Sequence, residues 1–129
     1  MRKVYLSKKV SFEAAHHLPN YEGKCNRLHG HSYKLEVVIS GNVLSDTACE
    51  DISDSMVLDF TTMKRVIQEQ VIDLFDHTDL NRFFLHPTAE IMCMEIFEKL
   101  QEPFKKHGAN LEVVKLWETE DSYAEYRGE

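Results

Sequence analysis

Glycine and proline are scarce, five and three in 129 residues. With 43% hydrophobic and 29% charged residues, that scarcity excludes a disordered chain. It indicates one folded domain, 1–129, large enough to bury about two thirds of its unfolded surface. Cysteine is also scarce and odd in number, three, which does not suit a disulfide scaffold and fits a reducing compartment. No apolar run approaches the roughly 20 residues of a membrane span. Met1 to Tyr5 lead into an alternating segment and not into the apolar core of a signal peptide. A cytoplasmic protein with no membrane partner is expected. Positive charge is in deficit, 15 Lys and Arg against 22 Asp and Glu, for a net charge of −7. Nucleic acid is therefore excluded as the expected partner. An anionic ligand would need positive charge gathered locally, by a metal or a few Lys and Arg. A Gly-rich dinucleotide fingerprint is missing too, so no nicotinamide is expected.

What the chain does have is concentrated in Cys25-Asn26-Arg27-Leu28-His29-Gly30-His31. A thiol stands four residues before one histidine, and a second histidine follows two later. Beyond them Tyr33, Leu35, Val37 and Ile39 alternate with other residues, the pattern of a half-buried strand over about 29–40. Residues two apart on a strand share a face, so His29 and His31 head the apolar face. Residues 3–16 alternate as well. Val4, Leu6, Val10, Phe12, Ala14 and His16 share one parity, broken by Lys8, and His16 is its last member. If the two strands pair antiparallel, His16 meets His29 and His31 at one end of the sheet. Three histidines there suit a catalytic zinc site, in which a fourth position stays free for water or substrate. His17 has the opposite parity and reads as a bystander.

Cys25 sits near Lys24 and Arg27, which would lower a thiol pKa. A fourth metal ligand and a general base or nucleophile both remain open for it. Cys49 lies among Asp46, Glu50 and Asp51, which oppose a thiolate, and Cys93 belongs to an apolar helix face. Asp76-His77 has the composition of a proton relay. Glu118 ends a strand beside Trp117. It is either a solvated strand-end charge or a carboxylate able to hold an amidine-like ring edge by two hydrogen bonds.

The remaining elements follow from periodicity. Residues 40–56 are polar and acidic and read as a mobile connection. A helix is expected at 61–75, with Met63, Val66, Ile67, Val71, Leu74 and Phe75 on one face and Asp59 or Thr61 as cap. Asp76 to Asn81 form a turn-rich loop. A second helix starts near Pro87-Thr88-Ala89-Glu90, is disturbed by Pro103 and stops at Gly108. Strands follow at 111–118 and 123–127. The expectation is an α+β domain, ββααββ in sequence, with a four-stranded antiparallel sheet and two helices on one face. Its open edges favour oligomerisation.

The ordered motifs Phe12-Glu13-Ala14-Ala15-His16-His17-Leu18, Cys25 to His31, Leu58-Asp59-Phe60, Asp76 to Asn81, Pro87 to Glu90, Trp117-Glu118-Thr119 and Tyr126 to Glu129 resemble the 6-pyruvoyltetrahydropterin synthase family. The likeness spans essentially the whole chain. It implies the tunnelling fold, in which sheets join edge to edge into an oligomeric β-barrel of trimers, two of which stack as a homohexamer. It implies Zn²⁺ on His16, His29 and His31, Cys25 as the catalytic cysteine, and Asp76 with His77 as the acid–base pair. Glu118 would anchor the pterin ring, with Thr88 and Glu90 in the other pterin-contacting segment. The substrate would be 7,8-dihydroneopterin triphosphate, with Lys24, Arg27, Lys115 and Arg127 as candidates for its triphosphate. The short gap between Cys25 and His29 resembles the branch that forms 6-carboxytetrahydropterin in the queuosine pathway. The pyruvoyl-forming reaction, aldolase-type cleavage and a non-catalytic zinc or pterin module are the alternatives. Two departures from the family pattern stand out: the long acidic segment 43–56, and His17 in place of an arginine.

Overall fold

In the computed structural model, which describes residues 1–23 and 26–129, two long strands form the backbone of the domain. β1 (Arg2–His16) and β2 (His29–Val43) pair antiparallel from Arg2 opposite Val43 to His16 opposite His29. β2 continues to Val43, a little beyond the expected 40. After it, residues 44–59 are not a featureless loop. They contain two 3-10 turns, Asp46–Ala48 and Ile52–Ser55. The second is closed by a reciprocal capping box between Asp51 and Asp54, and the Leu44 N–H donates to the Asp54 carbonyl at 2.9 Å. The acidic side chains thus satisfy local backbone donors.

Asp59 caps α1 (Phe60–Ile67), its carboxylate accepting from the N–H groups of Thr61 and Thr62. The helix passes through a π-helical stretch (Gln68–Ile72) into a last turn, α2 (Asp73–Phe75). Apolar residues recur at three- and four-residue spacing, so Met63, Val66, Ile67, Val71 and Phe75 are buried as expected.

The next segment corrects the sequence expectation. Thr78–Asp79 is a fifth strand, β3, parallel to β1 at Ala14 and Ala15. α3 (Ala89–Lys106) follows, then β4 (Asn110–Thr119) and β5 (Ser122–Tyr126). The sheet is therefore mixed and five-stranded, in the order β3-β1-β2-β4-β5, and the elements run ββαβαββ where ββααββ was expected. The four long strands are antiparallel neighbours as expected. A two-residue strand leaves no periodicity to read. It is set by tertiary bonds: the His77 N–H donates to the Glu13 carbonyl at 2.6 Å, and the Asp76 carboxylate accepts from the Glu13 N–H at 2.9 Å.

α3 is capped by Thr88, whose hydroxyl accepts from the Ile91 N–H. Pro103 lies inside α3 and does not end it; the helix runs on to Lys106. It ends where Gly108 takes a φ of 80°. The Ala109 N–H then donates to Phe104 and the Gly108 N–H to Lys105, the pairing that closes a helix on a left-handed glycine. The helices cover the sheet face that carries Phe12, Tyr33, Leu35, Val37, Ile39, Val114 and Leu116, all buried. The opposite face, with Tyr5, Ser7, Lys9, Lys34 and Tyr123, is exposed. No described helix is long and apolar enough to cross a membrane.

Candidate active site

The parity of β1 and β2 delivers His16, His29 and His31 to one end of the core face. Their ligand atoms all lie within 4.8 Å of one another. The ring centroids are 4.7 to 4.9 Å apart, and the rings meet edge to face. His16 is 1% exposed; His29 and His31 are half-buried.

Hydrogen bonds at the outer nitrogens decide what the inner ones can do. His16 Nδ1 lies 2.7 Å from the Pro87 carbonyl, and His29 Nδ1 lies 2.7 Å from the Arg27 carbonyl. A carbonyl only accepts, so each Nδ1 donates outward and each Nε2 faces inward. Those two Nε2 atoms are 3.1 Å apart. Two ring nitrogens at that distance share either a proton or a metal ion between them. This donor set, with its tautomers set by outer carbonyls, fits a bound metal ion. Burial lowers the His31 pKa, with the Glu118 charge acting against that, which favours the neutral, ligating form.

Three residues outside the triad support it in ways the sequence does not show. Tyr33 lies fully buried, stacked on Phe12 at 5.0 Å, with its hydroxyl 3.2 Å from His16 Nδ1. Burial and the Glu118 charge push its hydroxyl pKa up, so it stays protonated. Pro87 acts through its main chain and ties the start of α3 to His16. A backbone carbonyl has no signature in a sequence, and Tyr33 read as one more apolar member of an alternating strand. Asn81 was likewise passed over within its loop. Its amide oxygen accepts from the His17 N–H and its amide nitrogen donates to the His17 carbonyl, which fastens the chain just after His16. The imidazole of His17 takes no part in the triad, in keeping with its parity.

The other predicted residues divide. Glu118 reaches the triad: its Oε1 is 3.2 Å from His16 Nε2 and 3.7 Å from His31 Nε2. It also lines, with Glu90, a hollow of about 440 Å³. Thr88 spends its hydroxyl on capping α3. His77 Nε2 is 3.7 Å from Asp76 Oδ2. His77 shares a cleft of about 470 Å³ with His31, Glu13 and Ser32, so the pair opens onto the space beside the triad. His77 holds a left-handed φ of 59°, uncommon for a residue with a side chain. Cys25 and Lys24 lie outside the described residues. Of the other cationic candidates, Arg127 is paired with Glu125 at 2.7 Å and Lys115 lies over the Tyr123 ring.

Comparison with known proteins gives the family. The chain is 42% identical over 97 residues to the 6-carboxy-5,6,7,8-tetrahydropterin synthase of Synechocystis, covering 74% of this chain and 73% of that one. It is 33% identical to the protein of the same name from Haemophilus influenzae, covering 95% and 97% of the two chains. The solved 6-pyruvoyl tetrahydropterin synthase of Caenorhabditis elegans superposes with a TM-score of 0.83 at 29% identity, covering 100% of this chain and 98% of that one. The model of the 6-pyruvoyl tetrahydropterin synthase family matches residues 5–129, and the chain belongs to that family of pterin-processing enzymes.

Proposed function

We propose that this enzyme converts 7,8-dihydroneopterin triphosphate and one water to 6-carboxy-5,6,7,8-tetrahydropterin, triphosphate and acetaldehyde, with zinc on His16, His29 and His31. The single observation that carries the reading is the cluster of three imidazoles, with the inward-facing Nε2 atoms of His16 and His29 3.1 Å apart, in a chain whose bacterial relatives bear the carboxy name. A bound Zn²⁺ would supply Lewis-acid polarisation of the substrate's side-chain oxygens. The protein's own residues do the rest. Asp76 orients His77, which exchanges a side-chain proton from the cleft it shares with His31. Cys25, as thiolate, takes the other proton; this role rests on the family resemblance alone. Glu118 and Glu90 hold the pterin ring in the hollow between them, and Thr88 keeps the start of α3 in place beside it.

The same reading puts the enzyme in the cytoplasm, on the route to queuosine-type 7-deazaguanines. Its open sheet edges would join in a trimeric barrel and two trimers in a hexamer. A second reading, 6-pyruvoyltetrahydropterin formation, is favoured by the likeness to the nematode structure. It eliminates triphosphate without cleaving the side chain. Purified zinc-loaded protein incubated with dihydroneopterin triphosphate separates the two by product mass. A 6-carboxyl product with acetaldehyde is expected; a pyruvoyl side chain retained on the ring would replace the first reading by the second. A Cys25→Ala variant with wild-type turnover would end the thiolate role.

A further inference from the structure

We propose that Glu118 is the fourth donor of the metal centre while no substrate is bound, and that a pterin ring draws its carboxylate away. The second half rests on the pterin reading above; the first does not.

The separations carry the first half. Donor atoms around a tetrahedral zinc ion, with bonds of about 2.0–2.1 Å, stand about 3.3–3.4 Å apart. His16 Nε2 and His29 Nε2 are 3.1 Å apart. Glu118 Oε1 stands 3.2 Å from His16 Nε2 and 3.7 Å from His31 Nε2. The carboxylate is thus at ligand-like spacing from two of the three imidazoles. Charge points the same way. Three neutral imidazoles leave a dication uncompensated, and a carboxylate offsets half of it. Among the described residues, the nitrogen groups of His, Lys or Arg within 4 Å of the Glu118 carboxylate are those of His16 and His31; no Lys or Arg holds it elsewhere. β4 places Glu118 one residue beyond Trp117, which pairs with Lys34 of β2, so the side chain hangs over the end of the strand that carries His31.

The second half follows from the other surface of the same side chain. Glu118 also borders the hollow with Glu90, Ser122 and Tyr123. One carboxylate cannot both donate to a metal ion and hold a ring edge through two parallel hydrogen bonds. Ring binding would therefore open a coordination position only when the substrate is there to fill it.

Equilibrium binding of Zn²⁺, by competition with a chelator, and the visible spectrum of the Co²⁺-loaded protein test both halves without turnover. Glu118→Gln is expected to bind Zn²⁺ at least about tenfold more weakly than wild type and to show a shifted cobalt spectrum. Glu118→Asp, which keeps the charge and loses the reach, should fall with it, provided both variants keep the wild-type circular dichroism. Adding 7,8-dihydroneopterin should move the wild-type cobalt spectrum toward that of Glu118→Gln. Equal zinc affinity and superimposable cobalt spectra would overturn the fourth-donor role. A near-ultraviolet sulfur-to-cobalt band would overturn it as well, in favour of Cys25. A spectrum that responds to Glu118→Gln but not to dihydroneopterin would overturn the displacement alone.

Discussion

Two carboxylate–imidazole pairs lie at this end of the molecule, and they are built differently. Glu118 meets His16, a ring 1% exposed, at 3.2 Å; Asp76 meets His77, a ring 79% exposed, at 3.7 Å. His16 is held on three sides, by Pro87, Tyr33 and the neighbouring imidazoles. His77 is held through its backbone, while one oxygen of its carboxylate partner is committed to the Glu13 N–H. Burial removes the solvent that would screen the first pair, and water surrounds the second. One chain therefore preorganises a place for a metal ion by itself. The Asp76–His77 pair, proposed above for proton transfer, is set on the cleft by the main chain but keeps an exposed ring. A group that must exchange protons needs that freedom, and a ligand does not.

The largest expected break in this contrast is His16→Ala. It removes a donor and leaves the Pro87 carbonyl without its partner. Metal content should fall by more than the 10–100-fold typical of changes outside the ligand shell, read by elemental analysis after dialysis. Next comes His77→Asn, chosen because Asn tolerates a positive φ. Turnover should drop by about 10²–10⁴-fold, the range for a lost general acid–base group, with metal content unchanged. Loss of metal in that variant would show that the two pairs are not independent.

Asp76→Ala should act on stability as well as rate. It strips the Glu13 N–H of its acceptor and should cost about 1–2 kcal/mol, measured by urea unfolding. Tyr33→Phe is milder, about 0.5–1.5 kcal/mol, and should weaken metal binding without touching the cleft of His77. The smallest effect is a control far from both pairs. The Ser40 hydroxyl, and to a lesser extent Lys3, holds the Glu112 carboxyl below its ordinary 4.5. A carboxyl lowered by folding stabilises above its unfolded pKa and loses that effect as pH falls through the lowered folded value. Glu112→Gln should thus lower the melting temperature slightly near neutral pH and not at all in strong acid.

Strand parity brought the three histidines together as the structure does because burial in a two-sided strand repeats every second residue. His16 closes the run of β1 and His29 and His31 open that of β2, and the neighbouring members of both runs form the core. The same rule set His17 aside. Glu118 reads from the sequence as a strand-end charge or a ring anchor but not as a neighbour of His16, since that approach depends on the pairing of β4 with β2. Pro87 and Asn81 carry no periodic signal at all; one acts through a carbonyl, the other through an amide that happens to face the chain after His16. β3 leaves no signal because two residues make no pattern, while Pro103 sits inside the last turns of α3, accommodated in a helix anchored by packing.

By itself, then, the sequence determined the elements, the buried face and which three imidazoles share it, because those depend on spacing along one chain. Only the tertiary structure decided the tautomers, the fifth strand and the place of Glu118. Each of these rests on a hydrogen bond or ion pair between residues tens of positions apart, such as His16 with Pro87 and Glu13 with Asp76. No local pattern encodes such partners; they are chosen when the sheet and α3 come together.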